Sequence, residues 1–191
     1  MASAAEQLGR DAQRYSNVAI AFHWLIAALI VLNLILGLFH DDFGRDARSS
    51  MMFFHKATGI TILVLSLLRL LWRLGHRPPA PDPVLKRWEA MLAGLVHRLF
   101  YLLLIAIPLS GWMLSSSSNR PTDYYGLFEI APLPVPQTDD VHDALEDSHE
   151  LLGKLMIALI ILHVAGALKH HAQGHRHLTA RMAPWLGRSV R

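Results

Sequence analysis

The chain has 191 residues, 52% of them hydrophobic, with a formal charge of +3, a pI near 9.5 and a mean hydropathy of +0.29. These values favour a membrane protein over a soluble domain, and the basic residues are too scattered to form a nucleic-acid-binding patch. Cysteine is absent, which excludes disulfides, thiolate metal sites, iron–sulfur clusters and covalently attached c-type haem; any metal or cofactor must be held by nitrogen or oxygen.

Residues 1–17 are polar and lack the apolar core and small-residue cleavage site of a secretory signal, so they read as an N-terminal tail. Four apolar stretches then reach the roughly 20 residues needed to cross a bilayer: 18–39, 52–74, 91–114 and 149–168. The first carries His23 about one turn inside its start. The second has His55 near its beginning and Arg69 and Arg73 at its end, and is followed by the extended linker "RPPAPDP" and by Lys86 and Arg87. The third carries His97 near its start and Pro108 within it, and proline removes one backbone hydrogen bond and bends a helix.

Between the third and fourth stretches, residues 115–148 hold Asp123, Glu129, Asp139, Asp140, Asp143, Glu146 and Asp147 against the single Arg120. A connection this long is either a cap over the surface or a mobile tether. The fourth stretch opens with His149 and carries His163 fourteen positions on, and residues 172–191 form a basic tail. The tail run "KHHAQGHRH", with His170, His171, His175 and His177, reads as a headgroup-contacting segment in preference to a metal site. His40, His76 and His142 fall in loops.

Charge orients the chain. Arg10, Arg14, Arg73, Arg77, Lys86, Arg87, Lys169, Arg176, Arg181, Arg188 and Arg191 gather at one side and the acidic loop at the other. The positive-inside rule then places both termini in the cytoplasm of a bacterial-type inner membrane.

In that topology four histidines fall into two layers, His55 with His149 toward the outer face and His23 with His163 toward the cytoplasm. Fourteen positions are nearly four helical turns, so His149 and His163 point to within about 40° of one direction and lie about 21 Å apart along the axis. Two imidazoles presented from facing helices are the arrangement that ligates a metalloporphyrin axially inside a bundle. Position i+4 shares a face with i, and it is small for all four: Ala27 after His23, Gly59 after His55, Gly153 after His149 and Ala167 after His163. His97 has Tyr101 there instead, which would collide with a porphyrin placed in the same way.

The segments "RYSNVAIAFHWL", "HKATGITILVLSLLRLLWRL", "GLVHRLFYLLLIAIPLSGWML" and "HELLGKLMIALIILHVAGALKHH" resemble the corresponding parts of the bacterial cytochrome b561 family. The resemblance runs from Tyr15 to Trp185. It implies an all-α integral membrane four-helix bundle with two haem b groups between its helices, over a four-span cytochrome b domain at residues 18–171. It also implies axial ligation by His23, His55, His149 and His163, in the pairs His55/His149 and His23/His163. The family it resembles includes members that oxidise superoxide at the outer face and pass the electron to ubiquinone, and more distant cytochrome b subunits anchor hydrogenases and formate dehydrogenases.

The expected function is therefore an oxidoreductase that passes electrons from a periplasmic donor, with superoxide a candidate, to membrane ubiquinone. The competing reading is a non-catalytic anchor and electron conduit for a soluble partner, and the acidic outer loop favours a basic donor protein over an anion. Arg45, Arg48 and Lys56 near His55 form a local positive mouth. Arg69, Arg73 and Lys56 are the candidate contacts for haem propionates, with Lys154 beside them. His97 is the candidate proton donor to a quinone, and Lys86 the candidate partner of its carbonyl.

Overall fold

The computed structural model describes residues 14–76 and 78–187. Arg10, Arg77, Arg188 and Arg191, counted above toward the cytoplasmic charge, lie outside them. Four long helices make up most of the chain: α1 (Asn17–Leu38), α2 (Arg45–Gly75), α3 (Arg87–Ser117) and α4 (Asp139–Ala172). Each is apolar and long enough to cross a membrane. The fold is an all-α membrane-spanning four-helix bundle.

Local chemistry sets the helix ends. Ser16 caps α1, its hydroxyl accepting from the Ala19 N–H at 3.2 Å, and Thr138 caps α4 through the Val141 N–H. Asp139 and Asp140 occupy the first turn of α4 and Lys169, His170 and His171 its last, the charge order that the helix dipole favours. α3 runs helical through the buried Pro108. At 34 residues α4 is about 51 Å long, well beyond a hydrocarbon core of about 30 Å. Its acidic first turns therefore project from the bilayer.

The bundle interior is narrow. Ile26, Ile62, Val96, Leu103, Leu104, Met156 and Leu159 form the buried core, while Leu71, Leu102 and Ile161 face outward, as residues solvated by lipid do. Close helix packing joins α1 to α2, α2 to α3 and α3 to α4. α4 does not pack in this way on α1 or α2.

Both ends are closed by short elements. At the end where α3 leads toward α4, β1 (Thr122–Tyr124) and β2 (Phe128–Ile130) form an antiparallel hairpin, and it is pinned to α2 by hydrogen bonds between the Tyr125 and Thr58 hydroxyls at 3.0 Å and between the Tyr124 and Thr61 hydroxyls at 3.2 Å. Ser116 accepts the Leu133 N–H, and Trp112 donates to the Ala131 carbonyl. Of the two sequence readings for this loop, cap and tether, the structure has the cap.

At the other end the chain turns back after α4 through α5 (Arg176–Ala180) and a 3-10 turn (Pro184–Gly187). Trp24 donates to the Met182 carbonyl at 2.8 Å, and Arg181 reaches Asp82 at 2.8 Å and the Ala80 carbonyl at 2.9 Å. Most of the segment read from sequence as a tail is thus a hook fastened to α1 and to the α2–α3 linker.

Candidate functional site

Imidazoles of α4 face imidazoles of α1 and α2 at two levels. At the outer level the rings of His55 on α2 and His149 on α4 have centres 6.1 Å apart and planes at 89°. At the inner level His23 on α1 and His163 on α4 are 6.3 Å apart at 64°. Two imidazoles on opposite sides of one metal ion, with bonds of about 2.0–2.1 Å and ring centres about 1.1 Å beyond the donor atoms, have centres about 6.2–6.4 Å apart. Both observed spacings are close to that value.

Hydrogen bonds fix the outer rings. His55 Nδ1–H donates to the Asn33 carbonyl at 3.0 Å, and His149 Nδ1 lies 2.9 Å from Ser110 Oγ, whose own proton goes to the Ile107 carbonyl. Each Nδ1 is engaged, and Nε2 is left as the donor atom for a metal. Such outer-shell bonds orient histidine ligands generally. The ring backs lie on glycines: a Cβ at Gly37 would stand 2.8 Å from His55 Cε1, and one at Gly111 2.9 Å from His149 Cε1.

A fourteen-residue spacing recurs on every helix. His23 and Gly37, His55 and Arg69, His97 and Gly111, and His149 and His163 are each fourteen positions apart. Glycines thus back the outer pair, while Arg69 and His97 stand at the inner level. The small residues singled out at i+4 behave as space: a Cβ at Gly153 would meet nothing within 4 Å, and one at Gly59 only Asn33 Nδ2 at 3.8 Å.

The remaining candidates are distributed unevenly. Arg69 and Arg73 line a cavity of about 740 Å³ at the end opposite the hairpin, with Tyr15, Trp72, Tyr101 and Met182, and the Arg69 guanidinium lies 5.7 Å from the Tyr101 ring centre. Lys56 is half-buried and donates to Ser115 Oγ at 3.3 Å. Lys154 is paired with Glu150 on its own helix, and Arg48 with Asp41, which reduces the positive mouth near His55. His97 packs 5.5 Å from His163 and donates from Nδ1 to the Ala93 carbonyl at 2.7 Å. Lys86 stands at the N-cap of α3, eleven residues or about 16 Å of helix from His97.

Among the tail histidines, His171 bonds Thr179 and His177 lies 3.3 Å from Asp82. Among the described residues no group of three or more histidine or carboxylate side chains converges as a metal site. Sequence reading missed Asn33, Ser110, Gly37 and Gly111. The available signal was register: Gly37 and Gly111 sit fourteen positions from histidines, as His149 does from His163.

The family model for prokaryotic cytochrome b561 matches residues 14–185. The chain belongs to that family. It is 30% identical over 165 residues to cytochrome b561 homolog 2 of Escherichia coli K12, covering 83% of this chain and 85% of the relative. It is 31% identical over 175 residues to the probable superoxide oxidase CybB of Yersinia pestis, covering 90% and 97%. Cytochrome b561 homolog 1 of Escherichia coli K12 is 24% identical over 173 residues, with the same coverage. As a prokaryotic cytochrome b561 the protein is a multi-pass inner-membrane haem b electron-transfer protein. The paired imidazoles, the engaged Nδ1 atoms of His55 and His149 and the open space at Gly153 fit that cofactor.

Proposed function

We propose that this protein carries electrons across the inner membrane through two haem b groups, one held by His55 and His149 near the outer face and one by His23 and His163 near the cytoplasmic face, and delivers them to ubiquinone. The supporting observation is the pair of imidazole bridges, each at the spacing of a shared ion and on levels about 21 Å apart. Haem bound there would supply reversible one-electron chemistry, and its retention by two histidines would favour electron transfer over oxygen binding.

The residues divide the work. His55 and His149 present Nε2 from rings locked by Asn33 and Ser110. On the cytoplasmic side Arg69 and Arg73 offer fixed positive charge in a cavity large enough for a quinone headgroup or for the carboxylates of the inner cofactor. His97, beside His163, delivers protons to reduced quinone, while Lys86 and the other cationic residues at the helix ends keep both termini in the cytoplasm.

The test is a pyridine haemochrome count with single variants. Two b haems are expected, with His149→Ala losing the outer one and His163→Ala the inner one. A haem-free protein that stayed folded and active would end this reading.

The name of the Yersinia relative supports superoxide as the donor to the outer pair. A second reading, in which the protein is a conduit docked by a soluble electron donor, is favoured by the exposed Asp139, Asp140, Asp143, Glu146 and Asp147 on the projecting turns of α4. That field repels an anion and attracts a cationic protein. Stopped-flow reduction separates the two. Superoxide as donor requires rapid reduction by superoxide alone; a docked donor requires reduction by a basic carrier, at a rate that falls steeply with ionic strength.

A further inference from the structure

Ser110 is buried on α3, one residue before the glycine that backs His149. A serine hydroxyl has one proton and two lone pairs. The hydroxyl lies 2.8 Å from the Ile107 carbonyl and 2.9 Å from His149 Nδ1; giving its proton to that carbonyl, it accepts from the Nδ1–H. In that arrangement the ring proton of His149 is on Nδ1, the tautomer that leaves Nε2 bare to bind a metal.

We propose that Ser110 is a positioning residue for the outer haem: it fixes the tautomer and ring plane of His149 and, by accepting the Nδ1–H, raises the donor strength of Nε2 toward iron. The inference rests on the reading of His55 and His149 as the ligands of one haem. It goes beyond that reading by naming the side chain that tunes the pair. His55 is held by a main-chain carbonyl, that of Asn33, which no side-chain substitution removes. Ser110 is thus the side chain through which the outer pair can be tuned by sequence. Gly111 completes the seat, since a Cβ there would stand 2.9 Å from His149 Cε1 and the ring has no room to turn toward α3.

A stronger imidazole donor stabilises ferric over ferrous iron, so losing the Ser110 bond raises the midpoint potential of the outer haem alone. The experiment compares full-length, haem-loaded Ser110→Ala with the parent by potentiometric titration and by haem transfer to apomyoglobin. Expected are two haems, one midpoint moved to a more positive value with the other unchanged, and release of one haem about tenfold faster, the scale of outer-shell effects on metal affinity. Ser110→Thr, which keeps the hydroxyl, restores both readouts. If Ser110→Ala accumulates poorly, Ser110→Cys, with a weak S–H donor and sulfur acceptor, shifts the same midpoint in the same direction by less. Parental midpoints and parental release in the Ala and Cys variants overturn the proposal. If His149→Ala retains both haems, the ligand reading itself fails, a result that the Ser110 variants alone cannot produce.

Discussion

Gly37 of α1 lies so close to the His55 ring of α2 that a Cβ there would stand 2.8 Å from Cε1. The ring cannot simply retreat, because its Nδ1 is held by the Asn33 carbonyl at 3.0 Å. Gly37→Ala must therefore either break that bond or part α1 from α2. The expected cost is about 1–3 kcal/mol, the range for overpacking a filled interior. It should appear as loss or weakening of one haem, with helix content retained, when haem count and thermal loss of the Soret band are compared with the parent. An unchanged haem count and melting profile would mean that His55 is free to move.

Gly153 presents the opposite case. A Cβ there would meet nothing within 4 Å in the protein, so Gly153→Ala should leave the haem-free chain unharmed and, through helix propensity, stabilise α4 by about 0.5–1 kcal/mol. If the open space beside Gly153 belongs to a porphyrin, the same methyl group lowers haem affinity. Apo and loaded proteins should thus respond with opposite signs, read by denaturant unfolding of one and haem release from the other. The same sign in both would remove the steric argument for the small residues one turn beyond each histidine.

The C-terminal hook should be sensitive to acid. The Asp82 side chain is only 10% exposed, and burial, the largest influence on it, pushes its carboxyl up. The Val84 N–H, His177 and Arg181 together outweigh this and hold it below the ordinary carboxylate value. A depressed folded pKa contributes stability that is present above the unfolded value of about 3.9 and is lost as pH falls through the lower folded one. Hook closure is therefore expected to hold from neutral pH down to about 4 and to weaken below that, followed by limited proteolysis of residues 173–187 in detergent. Asp82→Asn should loosen the hook at neutral pH by about 1–2 kcal/mol, since a hydrogen-bonded ion pair is replaced by a neutral contact. Equal protection of variant and parent would show that Trp24 and its bond to Met182 hold the segment alone.

The bundle was legible in the sequence because lipid imposes a simple rule: spans must be long, apolar and helical, and four segments meet it. The proximity of the His55 ring to His149 and of His23 to His163 was legible because the fourteen-residue period on α4 converts directly into depth. What surrounds those rings was not. Asn33 contributes a main-chain carbonyl, which any residue supplies. Ser110 looked like one small polar residue in an apolar helix, and its role depends on which helix faces it. The outer hairpin was likewise hidden, because Tyr124 and Tyr125 reach Thr58 and Thr61 over more than sixty positions, a distance that local pattern does not encode. The hook was missed because basic composition signals contact with headgroups equally for a free tail and for one fastened by Asp82.

The inner level holds three imidazoles where the outer holds two, and this separates ligand from proton donor. His97 lies 5.5 Å from His163, and its Nδ1–H is given to the Ala93 carbonyl, so Nε2 is the atom through which it can take up and pass on a proton beside the inner pair. The His97–His163 spacing is shorter than the roughly 6.2–6.4 Å of two rings sharing an ion, whereas His23 at 6.3 Å matches it. Substituting His97 should therefore leave both haems in place and affect only a step that needs a proton. For His97→Ala the expected result is parental haem count and parental reduction by an artificial outer donor, with quinone reduction slowed by about a hundredfold, the low end for losing a general acid. His97→Gln, which can hydrogen-bond but cannot titrate, should be equally slow if the proton is what matters. Loss of a haem in His97→Ala would instead make His97 an inner ligand, and parental quinone reduction in both variants would remove it from the proton path.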